Sequence, residues 1–473
     1  LSSSDPTAPV SGWLHFAGVA GCGMSGLAQL HALQGRPTTG SDRAFDQGER
    51  AELRQQLTRM GINIVPQDGS FLDAFAGATP SAVVVSTAVE DRVPDVIAAR
   101  QKGVAILHRS ELLARHVAHY RTIAISGTSG KSTVTAMVFA ILEGAGQQPG
   151  LLTGGPLASL IAAGHPGNAW PPRPPANWLV IEADESDGSL VRYHPWCGVI
   201  LNLGLDHKSP AEIMAMFATF STQVSGPLLV ADQPNLADLH PGHLLFGMGE
   251  GRGTRAREVQ LQPGGSTFSI EGVPFQLQVP GIYNIWNAVA AVAAARAAGV
   301  PLAESAPPLA AFTGVARRFQ SVGTTAGIEV IDDFAHNPDK IAAALAAART
   351  RTNGRILAVF QPHGFAPTRF LKQALIDTFV TELREQDRLW LPKIFFAGGS
   401  VVRDISARDL SNEISARGRQ AQFVPERDDL PQIIAAAAQT GDLILVMGAR
   451  DPSLTAFCRD IGTAILALNP HCQ

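Results

Sequence analysis

Short apolar runs recur along the chain, each bounded by Gly or polar turns and followed by apolar residues three and four apart. Residues 13–19, 62–65, 82–86 and 105–107 read as buried strands. Leu27, Leu30 and Leu33, then residues 49–60, 93–102 and 109–116, read as helices. Such alternation predicts a parallel sheet covered by helices. The pattern restarts with a strand at 122–125 and a helix carrying Val134, Met137, Val138, Ile141 and Leu142. Strands at 178–181, 198–203 and 227–231 and a helix at 211–222 follow. Residues 254–279 alternate between Gly turns and predict a small antiparallel section, after which 288–298 is an Ala-rich helix. A third series has strands at 330–332, 355–360, 388–391 and 443–447 and helices at 339–349 and 370–379. The fold class is α/β in three domains, with boundaries expected at 1–120, 121–316 and 317–473.

Composition narrows the class. With 473 residues, 45% of them hydrophobic and 16% charged, three globular domains are affordable. The apolar runs are too short to cross a bilayer, so no membrane insertion is expected. A formal charge of -4 excludes the basic footprint of a nucleic-acid binder. Cys22, Cys197, Cys458 and Cys472 lie far apart, against a disulfide framework or zinc site and for a reducing, cytoplasmic setting. No internal repeat is present, and the Pro-rich stretch 165–175 reads as a surface loop.

Two glycine turns carry the chemistry. Gly21-Cys22-Gly23-Met24-Ser25-Gly26 follows the first strand and opens a helix, and Asp42 lies about 20 residues further on. This is a Rossmann-like pyrophosphate cradle. NAD is its usual ligand, but a uridine diphosphate fits the same backbone approach. Gly127-Thr128-Ser129-Gly130-Lys131-Ser132-Thr133 likewise joins a strand to a helix, as a P-loop does. Backbone amides and the helix N-terminus face an anion, Lys131 adds a point charge and the Ser132 hydroxyl can bind Mg²⁺. Ile125 replaces the first glycine of the common pattern. Further strands deliver Glu182-Ala183-Asp184-Glu185-Ser186-Asp187, Asp206-His207 and Asp333-Phe334-Ala335-His336. Glu182 suits Mg²⁺, a hard cation. Asp184, Glu185 and Asp187 read equally well as a solvated, helix-capping loop.

These residues together resemble the ATP-dependent Mur ligases of peptidoglycan synthesis, nearest to the branch that adds alanine to UDP-N-acetylmuramate. The resemblance runs nearly end to end. It rests on the two glycine turns, His15-Phe16-Ala17-Gly18, the 182–187 segment, Asn202 with Asp206-His207, and Tyr283-Asn284 with Asn287-Ala288. Arg317-Arg318-Phe319-Gln320, 332–336 and Phe360-Gln361-Pro362-His363 complete it. It implies a Rossmann-like UDP-binding domain, a P-loop ATPase-like central domain and a Rossmann-like C-terminal acceptor domain. It also implies a reaction. ATP phosphorylates the muramate carboxylate, and an amino group attacks the acyl phosphate to give an amide.

By that resemblance Gly127 to Thr133, Asn287, Arg318 and Asp333 bind ATP. Ser132, Glu182 and His207 hold Mg²⁺. Lys131, Glu182, His207, Arg318 and His336 are catalytic. Gly21, Cys22, Gly23, Met24, Ser25, Asp42, Ser86 and Thr87 hold the UDP-sugar, and Phe334, His363 and Arg369 meet the acceptor. The partners implied are small molecules, and the chain is a monomer or dimer. Three departures stand out. Ser129 and Tyr283 replace histidines. Gly364 and Pro367 occupy the places of two arginines that would clamp the acceptor carboxylate, with Arg369 two residues late. The family's carbamylated lysine has no counterpart, since residues 209–227 contain no lysine. A recycled peptide, Gly or Ser as acceptor, or a non-catalytic nucleotide-binding homologue, are the alternatives.

Overall fold

The computed structural model describes residues 10, 12–205, 208–396 and 402–468. Among these, three sheets follow the three α/β series. The first is parallel throughout, from β1 (Leu14–Ala17), β2 (Thr38–Ser41), β3 (Asn63–Ile64), β4 (Ala82–Val85) and β5 (Ile106–His108). Its order, β3-β2-β1-β4-β5, reverses between β1 and β4, and a doubly wound sheet binds its ligand at that crevice. Gly21 and Cys22 leave β1 there, opposite Ser86 and Thr87 after β4.

A buried polar network pins this sheet. Thr39 Oγ1 accepts the Trp13 indole N–H at 2.8 Å and meets His15 Nδ1 at 2.9 Å. His15 Nε2 lies 3.1 Å from Asp95 Oδ2, which also accepts the Ser41 hydroxyl. Gly69 N–H donates to the other Asp95 oxygen at 2.8 Å, and Phe71 stacks on the imidazole. Ser, His and Asp thus meet without forming a nucleophilic triad, because all three are fully buried and no substrate can reach them. Burial lowers the His15 pKa against the pull of Asp95, so the ring is a neutral structural link between β1, β2 and the helix Pro94–Gln101.

The central sheet has β6 (Arg121–Ser126), β7 (Gly150–Leu152), β8 (Ala169–Trp170), β9 (Trp178–Glu182), β10 (Cys197–Ile200), β11 (Leu228–Ala231) and β12 (Leu244–Met248). The expected antiparallel section is β13 (Thr254–Gln262), β14 (Gly265–Ile270) and β15 (Val273–Leu277), joined to β12 through a parallel start of β13. β6 sits between β10 and β9, its apolar side chains wholly buried. Each such Val, Leu or Ile is worth roughly 1.5–3 kcal/mol. The first and central units share one continuous core. The contact is close at Gly26, where a Cβ would come within 2.8 Å of Leu152 Cδ1. Gln29 Nε2 donates to Asn168 Oδ1 at 2.8 Å across the same seam.

The third sheet has β16 (Gln320–Thr325), β17 (Ile328–Asp333), β18 (Ile356–Gln361), β19 (Arg388–Leu391), β20 (Gln420–Phe423) and β21 (Leu443–Gly448), in the order β16-β17-β21-β18-β19-β20. Only β16 runs antiparallel, and separate cores cover the two faces. One boundary needs correction. The helix expected at 370–379 is Phe365–Glu382, so Pro367 stands in its first turn and Arg369 just beyond it. Proline is tolerated there because the first amides of a helix lack intrahelical partners. The helix Leu302–Ala310, with Pro307 and Pro308 inside it, was not among the expected elements.

Candidate active site

β6 ends in the 127–130 turn, and the turn's geometry explains its glycines. Gly127 has φ 137°, and a Cβ there would lie 2.9 Å from Leu201 Cβ. Gly130 has φ 83°, and its Cβ would meet Asn287 Oδ1 at 2.5 Å. Gly130 caps the helix Lys131–Gly144 without a side chain, leaving the first amides open to an anion. Asn202 braces the turn from β10's side. Its Oδ1 accepts Thr128 Oγ1 at 2.9 Å and Ser129 N–H at 2.8 Å, and its Nδ2 donates to Ser129 O at 3.0 Å.

Lys131 Nζ donates to Gly127 O and to Glu185 Oε2, each at 2.8 Å, and lies 3.3 Å from Asp184 Oδ1. Burial would lower its pKa, but Glu185, Asp184 and Glu182 together raise it, so the ammonium stays charged. The two acidic neighbours differ. Burial wins at Glu185, whose pKa rises against Lys131, while at Asp184 Lys131 and Ser186 overcome burial and hold it at about 2. The 184–187 segment is therefore more than a solvated loop, although Asp184 and Asp187 do accept the Ser186 and Ser189 backbone N–H groups in cap-like turns. Glu182 Oε2 accepts three donors: Ser132 Oγ and Gly154 N–H at 2.8 Å, and Thr153 Oγ1 at 3.1 Å. Ser132 and Glu182 present the hard oxygen donors that a magnesium ion requires. His207 and Asp206 lie outside the described residues, and the described ones hold no His, Cys, Asp and Glu cluster fit for a metal.

The third unit closes this cleft of about 640 Å³. Arg318 Nη2 lies 3.4 Å from Ser132 Oγ, and its guanidinium sits 4.5 Å over the Phe334 ring. Two left-handed residues, Arg317 at φ 57° and Phe319 at φ 50°, aim it inward. Their strain is held by contacts. Arg317 reaches Asp332 and Gly448 O, and Phe319 N–H donates to Asp333 Oδ2 at 2.6 Å. Burial pushes Asp333 up to about 6 against Arg318 and the Phe319 and Ala335 amides. His336 Nδ1 faces Phe334 O at 2.8 Å, and its ring meets His363 edge-on, 5.1 Å between centroids. Asn287 Nδ2 donates to Asn284 Oδ1, and Tyr283 lines the same wall, its phenol pKa raised by burial.

Most of the expected residues thus meet in one cleft: Cys22, Thr128 to Thr133, Glu182, Asn287, Arg318, Asp333, Phe334, His336 and His363. Others do not. Met24 and Ser25 are buried, with Ser25 Oγ donating to Cys22 O and accepting Asn168 Nδ2, both at 3.0 Å. Asp42, expected at the UDP-sugar, accepts the Ala20 and Ala44 amides at 2.9 Å and caps a short helix. Arg369 is absent from the cleft wall. It pairs with Asp404, both side chains being exposed. Sequence reasoning named Asn202 and Glu185 without giving either a role at the phosphate turn, and it missed Arg109. Arg109 packs on Gly23, where a Cβ would lie 3.0 Å from Nη1, and pairs with Asp187 of the central unit. Its signal was a lone cation just after β5, at the crevice.

Comparison with known proteins agrees with the three-unit fold. Residues 14–121 match the Mur ligase family catalytic domain, 125–295 the Mur ligase middle domain and 317–450 the Mur ligase glutamate ligase domain. The chain belongs to the Mur ligase family. The UDP-N-acetylmuramate–L-alanine ligase of Aromatoleum aromaticum is 34% identical over 467 residues, covering 92% of this chain and 95% of that one. That of Cutibacterium acnes is 34% identical over 471 residues, covering 95% of each. Among solved Mur ligases, the Thermotoga maritima UDP-N-acetylmuramate–alanine ligase superposes with a TM-score of 0.77 at 25% identity, covering 96% of this chain and 99% of that one. A Psychrobacter arcticus murein peptide ligase, at TM-score 0.69 and 23% identity over 96% of this chain and 99% of that one, shares the fold.

Proposed function

We propose that this Mur ligase joins the carboxylate of UDP-N-acetylmuramate to L-alanine, with ATP giving ADP and phosphate, as a step of peptidoglycan precursor synthesis. The observation that supports it most is the meeting of Lys131, Ser132 and Glu182 with Arg318 from the third unit and Cys22 from the first in one cleft. A ligase must bring three substrates to one phosphate, and three units converge on this one. Residues 1–120 would bind the UDP-sugar, 121–316 ATP and 317–473 the acceptor. No helix among the described residues is long and apolar enough to cross a membrane, and we take the enzyme to work in the cytoplasm, as a monomer or dimer, on small molecules.

A free carboxylate is a poor electrophile, and the γ-phosphoryl group of ATP turns it into an acyl phosphate with a good leaving group. The chain's residues then act mainly by placement and charge. The 127–130 amides and Lys131 hold the phosphates. Glu185 keeps the buried ammonium in place before the nucleotide enters. Ser132 and Glu182, with His207, would hold Mg²⁺, which offsets phosphate charge when bound. Arg318 neutralises charge on the transferring phosphoryl group and excludes water as the third unit packs on the cleft. Asn287 sits over Gly130 where the adenine would enter, and Asp333 holds the strained Phe319 amide that aims Arg318. His336, Phe334 and His363 form the side from which the amine arrives.

Gly364 and Pro367, in place of two arginines, favour one second reading, a preformed peptide as acceptor. An acceptor screen separates the two. With UDP-N-acetylmuramate, ATP and Mg²⁺, L-Ala is expected to support the fastest ADP release among L-Ala, Gly, L-Ser and the stem tripeptide. Release with the tripeptide alone would reject the alanine reading.

A further inference from the structure

Three neighbouring strands of the third sheet end at the cleft. β21 lies between β17 and β18, with Asp333 opposite Met447 and Gln361 opposite Gly448. Their loops therefore leave side by side. Phe334 and His336 follow β17, His363 stands two residues past Gln361, and Arg450 stands two residues past Gly448. Arg450 thus follows the strand that lies between those leading to the two histidines, and it lines the same cleft.

Its backbone is unusual. Arg450 has φ 65°, in the left-handed region that side chains other than glycine rarely adopt. The Asp451 N–H donates to Ala449 O at 2.8 Å, closing a three-residue turn on Arg450. The turn is held from both sides. Arg317 donates to Gly448 O at 2.8 Å and to Asp451 O at 3.0 Å. The Asp451 carboxylate pairs with Arg427 and accepts Ser453 N–H at 2.9 Å. Glycine would make this turn without strain, yet a long cation stands there, exposed to the cleft.

The other arginines near this wall are committed. Arg317 is tied to Asp332 and two carbonyls, Arg318 faces Ser132, and Arg369 is paired with Asp404. Arg450 makes no hydrogen bond or ion pair with the described residues, so its guanidinium fork is available to a ligand. A planar fork matches a carboxylate through two parallel N–H donors. We propose that Arg450 binds the α-carboxylate of the acceptor amino acid, the anchor that Gly364 and Pro367 cannot supply and Arg369 faces away from. The assignment rests on the ligase reading above. Nucleotide phosphate would suit the same fork, but Lys131 and the open amides at the start of its helix, with Arg318 3.4 Å from Ser132 Oγ, already serve it at the phosphate turn.

The test uses the full-length enzyme with Arg450→Ala, Arg450→Gly and Arg450→Lys. Steady-state KM is measured for L-alanine, ATP and UDP-N-acetylmuramate, with Tm alongside. Losing a charge-assisted pair should raise the L-alanine KM about 10- to 100-fold in the Ala and Gly variants. The other two KM values should stay within about twofold. The Lys variant should recover part of the loss. Arg450→Gly should keep or raise Tm, since it relieves the left-handed turn. L-alaninamide, which lacks the carboxylate, should be a poor acceptor for the unaltered enzyme, and Arg450→Ala should erase that preference. An unchanged L-alanine KM overturns the assignment, as does a rise in the ATP KM in its place, which would make Arg450 a phosphate ligand. A fall in Tm with all three KM values raised would make the residue structural. If the unaltered enzyme releases no ADP with any acceptor, the ligase reading itself fails and the assignment goes with it.

Discussion

Lys131→Ala is expected to lower kcat by on the order of 10³-fold while UDP-N-acetylmuramate still binds. The ammonium lies at the start of the helix Lys131–Gly144, held by Gly127 O and Glu185, where the phosphates of ATP would rest. Without it the transferring phosphoryl group loses its nearest fixed cation. The variant also leaves Glu185 buried without its partner. Breaking a buried pair costs about 3–5 kcal/mol, part of which Glu185 recovers by taking a proton, so some loss of Tm belongs to the expected result. The UDP-sugar crevice at Gly21 and Cys22 belongs to another sheet and should keep its affinity in titration calorimetry. Equal loss of turnover and UDP-sugar binding would contradict the placing of the two ligands in different domains.

Arg318→Ala should be nearly as severe, with kcat reduced by about 10³-fold, the lower range for a cation brought in by another domain. Arg318 is the third unit's direct reach into the phosphate turn, 3.4 Å from Ser132 Oγ. Two left-handed non-glycine residues flank it, and such strain persists only where surrounding contacts fix it. Lysine should rescue poorly, because it lacks the planar fork and the stacking on Phe334. The KM for UDP-N-acetylmuramate should hardly change. A kcat within threefold of the unaltered enzyme would remove Arg318 from the chemistry and leave it a strut between units.

The sheets were legible because buried parallel strands are nearly continuous apolar runs and the helices between them keep their own period. Ile123, Ala124 and Ile125, all fully buried, show why the β6 signal was so plain. Lys131, Ser132 and Glu182 could be picked out because their local context, a glycine turn or a strand end, singles them out, whereas Arg318 was named only through the family resemblance. Local context failed where partners are distant in sequence. Asp42 was expected at the UDP-sugar from its spacing, which does not reveal that its oxygens accept the Ala20 and Ala44 amides. Arg369 looked like a displaced clamp because it lies two residues past an expected arginine position, but in the helix that starts at Phe365 its side chain pairs with Asp404. Arg450 was passed over since nothing in Gly448-Ala449-Arg450-Asp451 announces a left-handed arginine. The turn exists because Arg317, over 130 residues earlier, grips the carbonyls on either side of it.

The central claim is that the muramate carboxylate is activated as an acyl phosphate within this cleft. It is tested most directly by isotope transfer, with UDP-N-acetylmuramate labelled with ¹⁸O in that carboxylate and incubated with ATP, Mg²⁺ and L-alanine. One labelled oxygen should appear in the inorganic phosphate for each amide formed, with the other retained in the product. Amide formation with unlabelled phosphate would contradict the acyl-phosphate route.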